Sequence, residues 1–143
     1  MQFDREKSAG YMTNWAARLF ARAIDRRLKA IGVSSGHLPV FFALGDGAAL
    51  SQKALTAIAA IEQPTMAATL TRMERDGLVA RRPDPDDGRS TLFSLTPAAR
   101  DKALEVRAAI MAVNARATAG LSADEHAAYL RSLKAIVTAL DED

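Results

Sequence analysis

Cysteine is absent from the 143 residues of the chain, which excludes disulfides, thiolate metal sites and redox sensing through a thiol. Histidine is nearly absent. His37 and His126 are the only two, far apart and without a short ligand spacing around either, so neither a metal nor another cofactor is expected. No Gly-rich phosphate loop, nucleophile motif or suitably spaced His and acid pair is present, which argues against an enzyme. Long apolar runs are lacking too: no segment approaches the roughly 20 residues that span a bilayer. The charged N-terminus is not followed by an apolar stretch, so a soluble cytoplasmic protein without membrane contact is expected. Charge of one sign is equally scarce, because 19 Lys and Arg against 17 Asp and Glu leave a formal charge of only +2.

What is present fits one domain, 1–143, long enough to bury a real core. Any nucleic-acid surface has to come from where the arginines point, since bulk charge is small. They are unevenly placed: residues 1–31 hold seven bases against three acids, whereas 63–90 hold five against five.

Helical periodicity runs from about Glu6 to Ile31, where Met12, Trp15, Leu19 and Ala23 flank a second row of Phe20, Ile24 and Leu28. Gly32 ends it. "SSGHLPVFFALGDG" supplies a serine cap region, an apolar stretch from Leu38 to Leu44 and a glycine stop, which predicts a short second helix with Pro39 in its first turn. Ser51 is placed to cap a third short helix, carrying Leu55 and Ile58 and ending near Ile61. A fourth follows after a turn of a few residues. Two short helices joined so tightly resemble a helix-turn-helix. "LVARR" and "STLFSL" then read as strands separated by "PDPDDG", a hairpin with a long polar tip. Thr96 and Pro97 open a long helix to about Ala119, and Leu121 and Ser122 introduce a last one ending near Leu140. The fold expected is therefore mainly α with a small β-hairpin wing.

The terminal helices are apolar over more than one face. Leu104, Ile110, Met111 and Val113 in one, and Tyr129, Leu130, Leu133, Ile136, Val137 and Leu140 in the other, ask for partners on two sides. With the first helix they suit a homodimer interface; the alternative is that they only close this chain's own core.

The fourth helix, around "IEQPTMAATLTRM", is the most informative segment. Met66, Leu70 and Met73 fall at i, i+4 and i+7 and need a core. Thr65, Ala68, Thr69 and Arg72 are assigned to the other face, which is narrow, nearly free of acids and suited to a groove as well as to water.

Over most of the chain, from the first helix through the last and most sharply over 51–96, the residues resemble the MarR family of bacterial transcription regulators. The likeness is carried by the helix-turn-helix cadence, by "IEQPT" leading into the recognition helix, by "RDGLVARR" leaving it, and by "DDGRSTLFSLT", similar to the family's Asp-x-Arg wing. Gly88 departs from it, standing where the family's wing often has a second arginine. The resemblance implies a winged helix-turn-helix DNA-binding module over 34–96 and a dimerisation region formed by 6–31 and 97–140. It also implies a homodimer that binds double-stranded DNA at a near-palindromic site and releases it on meeting a small molecule.

On that reading Gln63, Pro64, Thr65, Ala68, Thr69 and Arg72 enter the major groove. Gln suits adenine, a Thr methyl or Ala suits the thymine methyl, and Arg72 suits guanine or phosphate. Arg89 suits the minor groove, with Asp87 orienting it, while Arg81, Arg82 and Ser90 are lesser phosphate candidates. Ser51 and Gln52 are placed to touch the DNA backbone. Family effectors sit between the winged module and the dimer helices, so Tyr11, Trp15, Arg18, Arg22, His37 and Phe41 form a candidate pocket for a small aromatic or anionic effector. Taken singly, Trp15 and Phe41 are more often core residues and the arginines more often solvated, and His37 is at least as readily a capping or packed residue. A repressor is favoured over an activator. The rival reading is a winged-helix protein-interaction module that has lost specific DNA binding.

Overall fold

The computed structural model describes residues 2–141, so the outermost residues of the 1–143 range lie outside the described residues. Helix α1 spans Ala9–Leu28. Ser8 starts it by accepting the Tyr11 N–H on its hydroxyl, and this cap separates α1 from a single 3-10 turn at Arg5–Lys7. Gly32, at φ 73°, ends the segment after a second such turn.

Helix α2 spans Leu38–Leu44 with Pro39 in its first turn. Strand β1, Leu50–Ser51, precedes α3, Gln52–Ala59, and α4 spans Gln63–Arg75. Ser51 caps α3 through the Ala54 N–H. Strands β2, Val79–Asp84, and β3, Asp87–Leu95, form the hairpin. Helices α5, Pro97–Thr118, and α6, Ala123–Leu140, complete the chain. Thr96 caps α5, and Ser122 and Glu125 form a reciprocal capping box at the start of α6.

Two features differ from expectation. The sheet has three strands in the order β1-β3-β2, because Leu50 and Ser51 pair with Phe93 and Leu92. The hairpin tip is short rather than long: β2 and β3 run on through "PDPDDG" until only Pro85 and Asp86 form the turn. Pro83 is tolerated because β2 is an edge strand, where a missing N–H breaks no interior ladder.

One apolar core joins these elements. Leu28, Leu44, Leu55, Met66, Leu70, Met73 and Leu78 are its most deeply enclosed large side chains, with Phe93 and Leu95 closing it from the sheet. Ala99, Val106, Ala109 and Val113 tie α5 to it, whereas α6 contributes no buried residue. Among the described residues no helix is long and apolar enough to cross a membrane.

The turn between α3 and α4 is strained. Ala60 sits at φ 54° and ψ 43°, a left-handed conformation that costs an L residue roughly 1–2 kcal/mol. Ile61 N–H reaches back to the Thr56 carbonyl and holds it there. Ala60→Gly is therefore expected to raise unfolding stability by about 0.5–1 kcal/mol, the strain relief less the extra chain entropy of glycine. A urea midpoint that stays level or falls in the variant would show that the turn carries no such strain.

Candidate nucleic-acid interface

Helix α4 is seated by one face only. Met66, Leu70 and Met73 are enclosed, and Thr69 is enclosed with them at 6% exposure, its hydroxyl donating to the Thr65 carbonyl at 2.9 Å. Thr69 therefore does not face outward as the sequence reading had it. At about 100° per residue, the arc opposite the core runs through Pro64, Thr65, Ala68, Thr71, Arg72 and Arg75, all exposed. Thr71 and Arg75 belong to that face as well, and of these Thr71 was missed. The signal was present, because Thr71 lies five residues after Met66 and so nearly half a turn away from it.

The outer arc contains no acid. The acids near its C-terminal end are engaged: Asp76 pairs with Arg75 at 3.3 Å, and Glu74 takes two hydrogen bonds from Arg81, at 2.6 Å from Nε and 3.0 Å from Nη2. Arg81 also lies over the Phe93 ring, 5.3 Å from its centroid. Arg81 is thus held within the chain, joining the hairpin to α4, and is not the free phosphate donor expected from sequence.

The exit from α4 fixes where the hairpin starts. Gly77, at φ 75°, lets its own N–H reach the Glu74 carbonyl and that of Leu78 reach Met73, the two-bond helix stop that favours glycine. Thr96 then ties the base of the hairpin by donating its hydroxyl to the Gly77 carbonyl at 2.6 Å.

At the tip, carboxylates serve the turn. Asp84 accepts the Asp86 N–H and Asp87 accepts the Arg89 N–H at 3.0 Å. Asp87 thus positions the backbone of Arg89 rather than its guanidinium. Arg82 and Arg89 are exposed and form no ion pair among the described residues, and Ser90 is half-buried beside them. A Cβ on Gly88 would meet nothing within 4 Å.

The N-terminal ends of α3 and α4 lie together. Ser51 spends a lone pair on its cap, and Gln52 Nε2 donates to Gln63 Oε1 at 3.1 Å.

Among the described residues, the six candidate effector residues do not line one common cavity. Tyr11 and Trp15 stack edge to face with ring centroids 6.4 Å apart, and Arg5 covers the Trp15 ring at 4.6 Å. Phe41 is core, facing a small depression between α2 and α5. Arg18 is exposed on α1. Arg22 lines a groove of about 630 Å³ between α1 and the end of α5, together with Arg26, Arg116 and Tyr129. His37 is buried near the start of α2, its Nδ1 accepting the Ser34 N–H at 3.1 Å while Asp25 accepts the Ser35 N–H beside it. One-dimensional periodicity could put these residues on helices but could not say which faces meet.

Burial is the chief cause that holds the His37 pKa below its ordinary value of 6.5; Asp76 opposes this, Arg72 reinforces it and Asp25 opposes it. With the folded value below the unfolded one, the unfolded chain takes up the proton first as pH falls, and stability drops from about pH 6.5 downwards toward the lowered folded value. Replacing the ring by an amide, His37→Gln, is expected to shrink the difference between urea midpoints measured at pH 7.5 and 5.5. Equal acid losses in both proteins would assign the pH dependence to other groups.

A sequence model described as MarR family matches residues 31–90. The uncharacterized HTH-type transcriptional regulator YwoH of Bacillus subtilis is 31% identical over 96 residues, 67% of this chain and 69% of its own length. The PcaV transcriptional regulator from Streptomyces coelicolor, solved in complex with its natural ligand, is similar with a TM-score of 0.88 at 22% identity, over 98% of this chain and 99% of that one. A mutant MarR from E. coli complexed with operator DNA gives a TM-score of 0.82 at 20% identity, over 90% of this chain and 92% of that one. At these identities the two structures speak for the fold.

Proposed function

The chain belongs to the MarR family of DNA-binding transcriptional regulators, and from that premise we propose that it acts as a homodimer on a near-palindromic operator, as a repressor that a small molecule releases. One observation carries the DNA reading: the solvent arc of α4 presents small, hydroxyl and arginine side chains with no acid, beside a hairpin whose Arg82 and Arg89 are unpaired among the described residues. An interaction module that had lost DNA would have no need to keep that arc free of carboxylates. The likeness to an E. coli regulator solved with operator DNA supports the same reading.

In this reading 34–96 is the DNA-binding module. Gln63, Pro64, Thr65, Ala68, Thr71, Arg72 and Arg75 face the major groove, while Arg82, Arg89 and Ser90 follow the backbone or minor groove. Residues 6–31 and 97–140 form the dimer. Two recognition helices then stand roughly 34 Å apart, one turn of duplex. A dimer seated on a promoter excludes polymerase sterically, which favours repression. The apolar residues that α6 leaves uncovered, among them Val137 at 63% and Leu140 at 74% exposure, are the surface a second copy covers. The arginines of the α1–α5 groove suit an anionic effector, and PcaV, solved with its natural ligand, supports ligand response.

The direct test is fluorescence anisotropy against the intergenic DNA beside the protein's own gene, with a scrambled duplex and a salt titration. Nanomolar, salt-dependent binding that prefers the native duplex is expected; no binding even at low salt would return the reading to the interaction module. In the same assay Arg89→Ala should weaken binding to all duplexes and lower the salt slope by about one, and Gly88→Arg should do the reverse because the tip has room for the side chain. An unchanged slope in both would remove the wing from the interface. For the dimer, Leu130→Asp with Val137→Asp should give a monomer in sedimentation equilibrium and abolish preference for the native duplex; a dimer that survives would place the interface elsewhere.

A further inference from the structure

We propose that Gln52, which lies outside the recognition helix, is a specificity-determining positioning residue that fixes the amide of Gln63 to read adenine in the major groove. The proposal rests on the DNA reading above and adds to it which base is read and how.

Gln52 is the first residue of α3 and Gln63 the first of α4. The helix-turn-helix brings these two N-terminal ends side by side, and the side chains join through Gln52 Nε2 donating to Gln63 Oε1 at 3.1 Å. Gln63 is exposed and Gln52 half-buried, so the inner side chain steadies the outer one. An unheld glutamine at an exposed helix start moves through many rotamers and turns its amide end for end, offering oxygen or NH₂ in either place. Held by Gln52, the Gln63 oxygen is fixed toward α3, with one lone pair and both Nε2 hydrogens left for a partner.

That arrangement matches one base. Adenine offers N6–H as a donor and N7 as an acceptor, which pair with Oε1 and Nε2–H together. Guanine presents two acceptors, N7 and O6, so the oxygen as held would face O6, and the Gln63 amide can turn over with the bond kept only if the Gln52 amide turns over with it. Thymine and cytosine each offer only one complementary group. Pinning the amide therefore converts a side chain of loose preference into one that discriminates on the order of tenfold or more at a single pair in each half-site.

The experiment selects a pool of randomised duplexes with the full chain and with Gln52→Ala, Gln63→Ala and the double variant, and reads base preference position by position. The parent should enrich adenine at one position per half-site. Gln63→Ala should lose that preference, Gln52→Ala should lose it at the same position with the rest of the site intact, and the double variant should lose no more. Replacing that adenine by 7-deazaadenine, which lacks the N7 acceptor, should weaken the parent markedly and Gln63→Ala hardly at all. Loss of the preference in Gln63→Ala but not in Gln52→Ala overturns the proposal. So does a uniform weakening of Gln52→Ala across all sequences, which would make Gln52 a phosphate contact. If the parent enriches a site that Gln63→Ala reads identically, the proposal fails while DNA binding stands; if the parent enriches no site at all, sequence-specific binding fails and the proposal with it.

Discussion

The buried face of α4 is the constraint on which the rest of the molecule depends. With a proline and three threonines in 13 residues, this segment is a poor helix by propensity, and an isolated helix of that length is marginal in water. Met66, Leu70 and Met73 hold it by lying fully within the core beside Leu55 and Leu44, at about 1.5–3 kcal/mol for each side chain removed from water. Tertiary burial thus frees the outer arc from any duty to stabilise the helix, and it is filled by small and hydroxyl residues that let a surface approach closely. The same contact sets the hairpin, because the Leu78 N–H is received by the Met73 carbonyl and Glu74 grips Arg81. Helix α4 and the hairpin are consequently tied to each other at both the backbone and the side chains.

Much of this was legible because it is local. Caps at Ser51, Thr96 and Ser122 and the stop at Gly77 involve residues a few positions apart, and the spacing of Met66, Leu70 and Met73 identifies the inward face without reference to any partner. What escaped reading was non-local or chemically deceptive. Strand β1 has only two residues and exists through pairing with Phe93 and Leu92, some forty positions later. Thr69 is polar by type, yet its hydroxyl is satisfied by the Thr65 carbonyl, so it enters the core without leaving a bare donor. "PDPDDG" has a loop composition, but an edge strand accepts proline and the aspartates serve the turn. Arg81 looked like the arginine beside it until Glu74, seven residues earlier on another element, took its guanidinium.

The candidate effector set shows the same limit more sharply. Each of its six residues sits on α1 or at α2, but a face is not a cavity, and among the described residues they point to several places. His37 is the instructive member. Its turn lies between Asp25 of α1 and the Arg72 and Asp76 region of α4, so its burial reports how the first helix sits relative to α4. Nothing local in "SSGHLP" could reveal that.

The charge pattern follows from the same economy of position. A formal charge of +2 offers little bulk attraction for DNA, and the three aspartates of the hairpin tip oppose it. Two of them accept backbone N–H groups of their own turn, and Glu74 and Asp76 are paired with arginines. Four of the carboxylates near the proposed groove, Glu74, Asp76, Asp84 and Asp87, are therefore engaged within the chain, while Arg72, Arg82 and Arg89 form no ion pair among the described residues. On the proposed DNA reading, such a surface has few phosphate contacts to contribute, and preference for one sequence would come from shape and oriented hydrogen bonds rather than from charge. On that reading recognition would depend on how α4 and the hairpin are held together, and on how side chains such as Gln63 are held at the leading edge of α4.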